Sequence, residues 1–296
     1  MRVYLIHSML RLSALLPLGI SHRLAILIGW LTGVIPNDMR RVTRINLQLC
    51  FPDLDDAGRH QLERKSLTEM VKSGLELGPM WLWNQQRSLD LIRQIHGQVL
   101  LDQALQRGQG VILAVPHIGM WELIGLYCSS HYPMTSLYRP PRFAPLEQII
   151  RQGRERFGAR LVPTDARGIR SLFKALSQGE LVAILPDQEP RWGNGVFAPF
   201  FGLPAYTATL LPRIAHKSGA TLLLAYSERL PRGQGFDLHI HELGDECSAA
   251  DPVQAATALN QAIEQCVRSL PEQYQWHYRR FRTGPGDRPT GYYGRK

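Results

Sequence analysis

The sequence predicts an α/β protein with one sheet flanked by helices. Two observations carry this. Short apolar, β-branched runs alternate with longer segments of helical periodicity, as in sheets covered on both faces. The most buried-looking run, Gly110–Val115, ends at Pro116, which has no N–H to give a ladder, and is followed at once by His117. In open α/β sheets the chemistry gathers where such strands end.

The chain begins with two apolar stretches, Val3–Leu18 and Leu24–Ile35, split by Ser21-His22-Arg23. Neither gives the roughly 20 uninterrupted apolar residues of a spanning helix. A cleavable secretory signal fits poorly too. Residues 1–35 are therefore expected to form a membrane-associated helical segment lying in or dipping into an interface. The alternative is a pair of ordinary buried helices. Residues 36–296 form the second division, a catalytic domain. Arg40, Arg41 and Arg44 follow the apolar segment and suit anionic headgroups on the cytoplasmic side, or else a solvated helix face.

Leu54–Trp83 reads as helical, with Gly74 and Gly78 interrupting it. Beyond it, Met134–Tyr138, Leu181–Leu185, Thr221–Tyr226 and Phe236–Ile240 read as strands. Met120–Tyr127, Phe143–Phe157, Ile169–Ser177, Thr207–Lys217 and Pro252–Leu270 read as helices.

Composition narrows the function. The net charge of +9 favours anionic partners. No nucleic-acid module is present, so nucleic acid is not among the expected partners. Four scattered cysteines form no CxxC or Cys/His cluster, which argues against structural zinc and a disulfide framework. There is no GxSxG elbow and no nucleotide-binding glycine motif.

His117 and Glu122 are the first chemical candidates. On one helix residues five apart diverge by about 140°. If His117 precedes the helix, Glu122 can reach back to one imidazole nitrogen and leave the other as a base. A plain helix-capping role is the competing reading. Asp187-Gln188 occupies a second strand end, either ordering a site or forming a turn after Pro186. Gly193–Gly202 reads as a loop whose Phe197, Phe200 and Phe201 pack inward or line an apolar tunnel. Between Arg139 and Lys174 nine basic residues face three acidic ones, an asymmetry suited to phosphate or carboxylate groups.

Together these pieces resemble the bacterial lipid A biosynthesis acyltransferase family, within the wider lysophospholipid acyltransferase superfamily. The carrying residues are His117-Ile118-Gly119-Met120-Trp121-Glu122, Leu137-Tyr138-Arg139-Pro140, Leu185-Pro186-Asp187-Gln188, Gly195–Gly202 and Pro271–Phe281, five boxes in the family's order. The resemblance runs from the N-terminal apolar segment to about Arg282. It implies a single mixed sheet of the glycerolphosphate acyltransferase type. It also implies transfer of a fatty acyl chain from acyl-acyl carrier protein to a hydroxyl of a lipid A precursor, at the cytoplasmic face of the bacterial inner membrane. The implied roles are His117 as base, Glu122 as its orienting carboxylate, and Arg139, Arg167, Asp187, Gln188, Phe197 and Phe200 around the substrate. Arg167 and Arg170 compete for the family's arginine position, and Arg167 is preferred. Arg151 and Arg154 are expected among exposed docking charges. A backbone N–H at the helix start after Gly119, or an arginine, would stabilise the oxyanion. No metal or cofactor is required. An O-acyltransferase acting on a lysophospholipid or aminolipid is the alternative with the same box, and a non-catalytic membrane-surface protein is the alternative outside enzymes.

Overall fold

The computed structural model describes residues 2–140 and 144–294. The N-terminal third is helical: α1 (Arg2–Leu15), α2 (Leu18–Val34), α3 (Asp38–Cys50), α4 (Asp56–Leu82) and α5 (Gln85–Leu89). Then come β1 (Ile92–His96), α6 (Gln98–Gln106), β2 (Val111–Ala114), α7 (Trp121–His131), β3 (Met134–Tyr138), α8 (Ala144–Glu155), β4 (Arg160–Pro163), α9 (Ala166–Ser177) and β5 (Leu181–Ile184). The last part holds β6 (Gly195–Phe200), β7 (Leu203–Ala208), α10 (Leu210–Ser218), β8 (Thr221–Arg229), β9 (Phe236–Glu242) and α11 (Pro252–Ser269).

Seven strands form one mixed sheet in the order β1-β9-β8-β2-β5-β3-β4. All neighbours are parallel except β8 and β9, which run antiparallel. β2 lies at the centre, between β8 and β5, with all four residues buried. Strand residues alternate between faces. Ile112, Ala114, Val182 and Leu224 pack against α3, α9, α10 and α11, while Val111, Leu113, Ala183 and Leu223 pack against α6, α7 and the end of α4.

The N-terminal helices belong to this core. Leu10 and Leu18 share a cluster with Met80 and Trp81 of α4. The glycines that interrupt the helical pattern are partly points of close approach: a Cβ on Gly78 would stand 2.1 Å from Ser13 Oγ, and one on Gly29 2.6 Å from Thr68 Oγ1. The other face of α1 and α2 is open. From Leu5 to Met39, thirteen large apolar side chains are exposed, among them Leu15, Leu27 and Trp30. No single helix among the described residues is long and apolar enough to cross a membrane, and α2 and α3 meet at an 82° bend. The basic cluster is paired with carboxylates at the surface: Arg40 and Arg44 both bind Glu63, at 3.0 and 2.9 Å, and Arg41 binds Asp38.

Three elements depart from the sequence expectation. The loop expected at Gly193–Gly202 is the first arm of a β6–β7 hairpin. Its two-residue turn, Phe201-Gly202, has positive φ at both positions (51° and 74°), the geometry that matches the twist of paired strands. Because Thr207 and Ala208 pair with Val196 and Gly195, the helix expected from Thr207 begins only at Leu210. Short β1 and β4 line the two edges of the sheet. The helix expected over Phe143–Phe157 is observed from Ala144; Arg142 and Phe143 lie outside the described residues.

Candidate active site

The register of the two central parallel strands builds the site. Ala114 of β2 pairs with Ile184 of β5. Each strand continues through one residue and a proline, Val115-Pro116 and Leu185-Pro186, so the third residue beyond each pair is His117 and Asp187. They meet. Asp187 Oδ1 lies 2.8 Å from His117 Nδ1, and Asp187 Oδ2 accepts the His117 backbone N–H at 2.9 Å. Both side chains are buried. Burial alone would raise the Asp187 carboxyl, but the adjacent imidazole and its hydrogen bonds outweigh burial and hold the carboxyl below its ordinary value.

An Nδ1–H donated to Asp187 leaves Nε2 with its lone pair. Gln188 Nε2 stands 3.3 Å from that nitrogen and also donates to Gln275 Oε1 at 3.2 Å. The Trp121 ring flanks the imidazole, with centroids 5.0 Å apart. A second histidine, His277, is close by. Burial first, and repulsion from His117 second, push it down to about 4, so it stays neutral in neutral solution. Only His117 of the two is paired with Asp187.

Glu122, expected from spacing to reach back to the imidazole, makes no hydrogen bond to it; Asp187 holds Nδ1 instead. Glu122 sits in the first turn of α7, buried, and accepts from Arg154 Nε at 2.8 Å, from Arg154 Nη2, and from Trp81 Nε1 at 3.2 Å. Burial would raise this carboxyl; Arg154 reverses that and lowers it. The cause is directional. His117 is in the turn and pairs back into the sheet, whereas Glu122 faces α4 and α8. Arg154 is accordingly no exposed docking charge: it closes a two-pronged ion pair beside the site.

The turn between β2 and α7 is tightly fixed. Gly119 has φ +59°, and a Cβ there would stand 1.7 Å from Ser227 O. Its N–H donates to Gln273 O at 2.9 Å, and its carbonyl accepts from Ser73 Oγ at 3.3 Å. The Gly119 N–H is therefore already engaged. Behind Gln188 the chain is fastened to the C-terminal segment: Glu189 accepts from the Arg282 and Thr283 N–H groups, at 2.8 and 3.0 Å. From the Pro271–Phe281 box, Gln275 reaches Gln188, and Tyr278 Oη accepts the Glu189 N–H at 2.8 Å.

The other expected substrate residues divide. Phe200 is fully buried in the core with Phe201, Tyr274 and Phe281, and does not line a tunnel. Phe197 is half-buried against Trp192 and Tyr206. Arg139 is exposed just beyond the end of β3. Arg167 is exposed in the first turn of α9, where its N–H is capped by Asp165, and it makes no side-chain bond to the His117 cluster. Of the described basic residues between Arg139 and Lys174, Arg154 is the one bound to Glu122, beside the site. The sequence carried a signal for the His117–Asp187 pair, namely the repeated strand-X-Pro ending; none marked Arg154 among its basic neighbours.

A buried imidazole held by a carboxylate, with one nitrogen turned away from it, is an arrangement that suits base-assisted group transfer on an α/β sheet. Comparison with known proteins identifies the transfer. The family model for bacterial lipid A biosynthesis acyltransferases matches residues 1–283, and the chain belongs to that family; it is an acyltransferase. It is 29% identical over 280 residues to the lipid A biosynthesis lauroyltransferase of Escherichia coli, covering 94% of this chain and 90% of the relative. It is 30% identical over 249 residues to the lipid A biosynthesis palmitoleoyltransferase of the same organism, covering 82% and 79%. A phosphatidylinositol mannoside acyltransferase of Mycobacterium tuberculosis is 29% identical over 195 residues, covering 64% and 59%.

Proposed function

We propose that this acyltransferase moves a fatty acyl chain from acyl-acyl carrier protein to a hydroxyl of a lipid A precursor at the cytoplasmic face of the inner membrane, with His117 as general base. The supporting observation is the His117–Asp187 pair, 2.8 Å apart, at the ends of the two central strands. Asp187 fixes the Nδ1–H tautomer and stabilises the imidazolium. Nε2 takes the proton of the acceptor hydroxyl as its oxygen attacks the thioester carbonyl. The tetrahedral intermediate collapses with loss of the carrier's thiolate, which recovers the proton from His117. With the Gly119 N–H engaged, backbone donors for the oxyanion come from the first turn of α7, whose macrodipole favours negative charge. Gln188 lies against Nε2 and marks where the acceptor hydroxyl enters. The exposed apolar face of α1 and α2 suits insertion into a lipid interface, beside which a glycolipid acceptor would lie.

The test is acyl transfer by purified protein, followed by mass spectrometry, with acyl-acyl carrier protein as donor and a lipid A precursor or lysophospholipids as acceptors. Acylated lipid A precursor is expected, and His117→Ala should lower its rate by about 10²–10⁴-fold. Turnover confined to lysophospholipids would replace the acceptor. Near-normal turnover by folded His117→Ala would remove the mechanism.

A further inference from the structure

Beside His117, a cavity runs between α7 and α8 over strands β5 and β3. Val115 and Trp121 line it at the catalytic end of the sheet, and Met134 and Ala159 line it where β3 and β4 begin, at the opposite end. Its wall is mostly apolar, with the Glu122–Arg154 pair on one side. Gly125 forms part of that wall, in the middle of α7.

Gly125 has no local reason to be glycine. Glycine is the poorest helix former after proline. At Gly29, Gly78 and Gly153 a Cβ would collide with a neighbouring helix, whereas at Gly74, which lines no cavity next to the site, it would meet nothing within 4 Å. A Cβ on Gly125 would meet nothing within 4 Å. What its missing side chain leaves is width in the cavity. Gly125 follows Trp121 by four residues and Glu122 by three, so it lies on their side of the helix, one turn of about 5.4 Å farther from His117.

We propose that this cavity receives the hydrocarbon chain of the acyl donor and that Gly125 sets the length of chain it accepts. The inference rests on the proposed acyl transfer. A thioester carbonyl placed at His117 directs its chain past Trp121 to Gly125, and a side chain there would close the cavity below that level. Discrimination between chains in an apolar pocket scales with the methylenes that fit.

The experiment compares wild type, Gly125→Ala and Gly125→Leu with a competing series of acyl carrier proteins of increasing chain length, with products read by mass spectrometry. Gly125→Ala, a substitution that α-helices favour, guards against misfolding. The preferred chain should shorten in the order Gly, Ala, Leu. Transfer of the longest chains by Gly125→Leu should fall by about tenfold or more, with the shortest nearly unaffected. An unchanged profile in active Gly125→Leu, an equal loss at every length, or a shift confined to the acceptor's own chains would overturn the inference and leave the proposed function standing. A wild-type protein that transfers no acyl chain would overturn both.

Discussion

Arg229 of β8 closes on Glu76, in the last two turns of α4, through two guanidinium nitrogens, Nε to Oε1 at 2.6 Å and Nη2 to Oε2 at 2.5 Å, with both side chains almost wholly buried. His22 of α2 adds a third contact to the same carboxylate at 2.7 Å. Arg229 Nη2 also donates to Ser73 Oγ at 2.9 Å, and Ser73 holds the Gly119 carbonyl. One charge network therefore ties the N-terminal helices to the turn that carries His117. Arg229→Met, which strands Glu76, should cost about 3–5 kcal/mol, and Glu76→Gln should cost less, because Arg229 keeps its ion pair with Glu69 at 2.6 Å. The double variant should cost less than the sum, because the Arg229–Glu76 pair is lost only once. Urea denaturation of the three variants measures this; additive losses would show that the two residues do not act as a pair.

The same pair sets an acid limit. Burial would raise Glu76, but Arg229 overrides it and holds the carboxyl down to about 2, against 4.5 for a free glutamate. A carboxyl lowered by folding stabilises the protein above its unfolded value and loses that contribution as pH falls towards the folded one. Stability should thus decline from about pH 4.5 towards pH 2. Thermal melts across that range should show a steeper decline for wild type than for Glu76→Gln, and parallel slopes would exclude Glu76 as a source.

The two carboxylates near His117 should fail in different ways. Asp187→Asn keeps the shape and a backbone acceptor but loses the charge that sets the tautomer. It should lower kcat by about 10²–10⁴-fold with little change in Tm. Glu122→Gln leaves the Arg154 guanidinium half-paired, so it should lose several kcal/mol of stability, with a smaller effect on kcat. Steady-state kinetics paired with thermal melts separates the cases. A fully stable Glu122→Gln enzyme with the kinetic defect of Asp187→Asn would return Glu122 to the chemistry.

What the sequence disclosed follows from how local each feature is. The central strands and long helices were legible because a buried run or an apolar stripe is written in consecutive residues; Met134–Tyr138 matches its expected bounds. The β6–β7 hairpin was not, because its turn places Phe201 where asparagine or glycine is usual, and that residue is held by packing against Phe51 and Trp276 and by Glu264 on its N–H. β1 and β4 are short edge strands with few buried residues, so alternation had little to show. In the site, His117 and Asp187 were legible as strand ends. Their pairing needed the β2–β5 register, and the Glu122–Arg154 pair needed the path of α8, neither of which one sequence encodes locally.

The exposed face of the N-terminal helices gives the last prediction. Deleting residues 1–35 is a poor test of membrane binding, because Leu10 and Leu18 help form the core and His22 binds Glu76; the truncated chain should unfold. Substitution on the open side avoids this. Leu27 and Trp30 are 56% and 57% exposed, so replacing both with glutamate should leave Tm nearly unchanged. Each large apolar side chain moved from water into an apolar phase contributes about 1.5–3 kcal/mol. Losing two, and adding two charges repelled by anionic lipid, should weaken binding to phospholipid vesicles by at least about 100-fold. Arg40, Arg41 and Arg44 are already paired with Glu63 and Asp38, so reversing Arg41 alone should matter far less. Vesicle co-sedimentation of the wild type, Leu27→Glu/Trp30→Glu and Arg41→Glu proteins measures both effects. Unchanged sedimentation of the folded double variant would place the membrane contact on another surface.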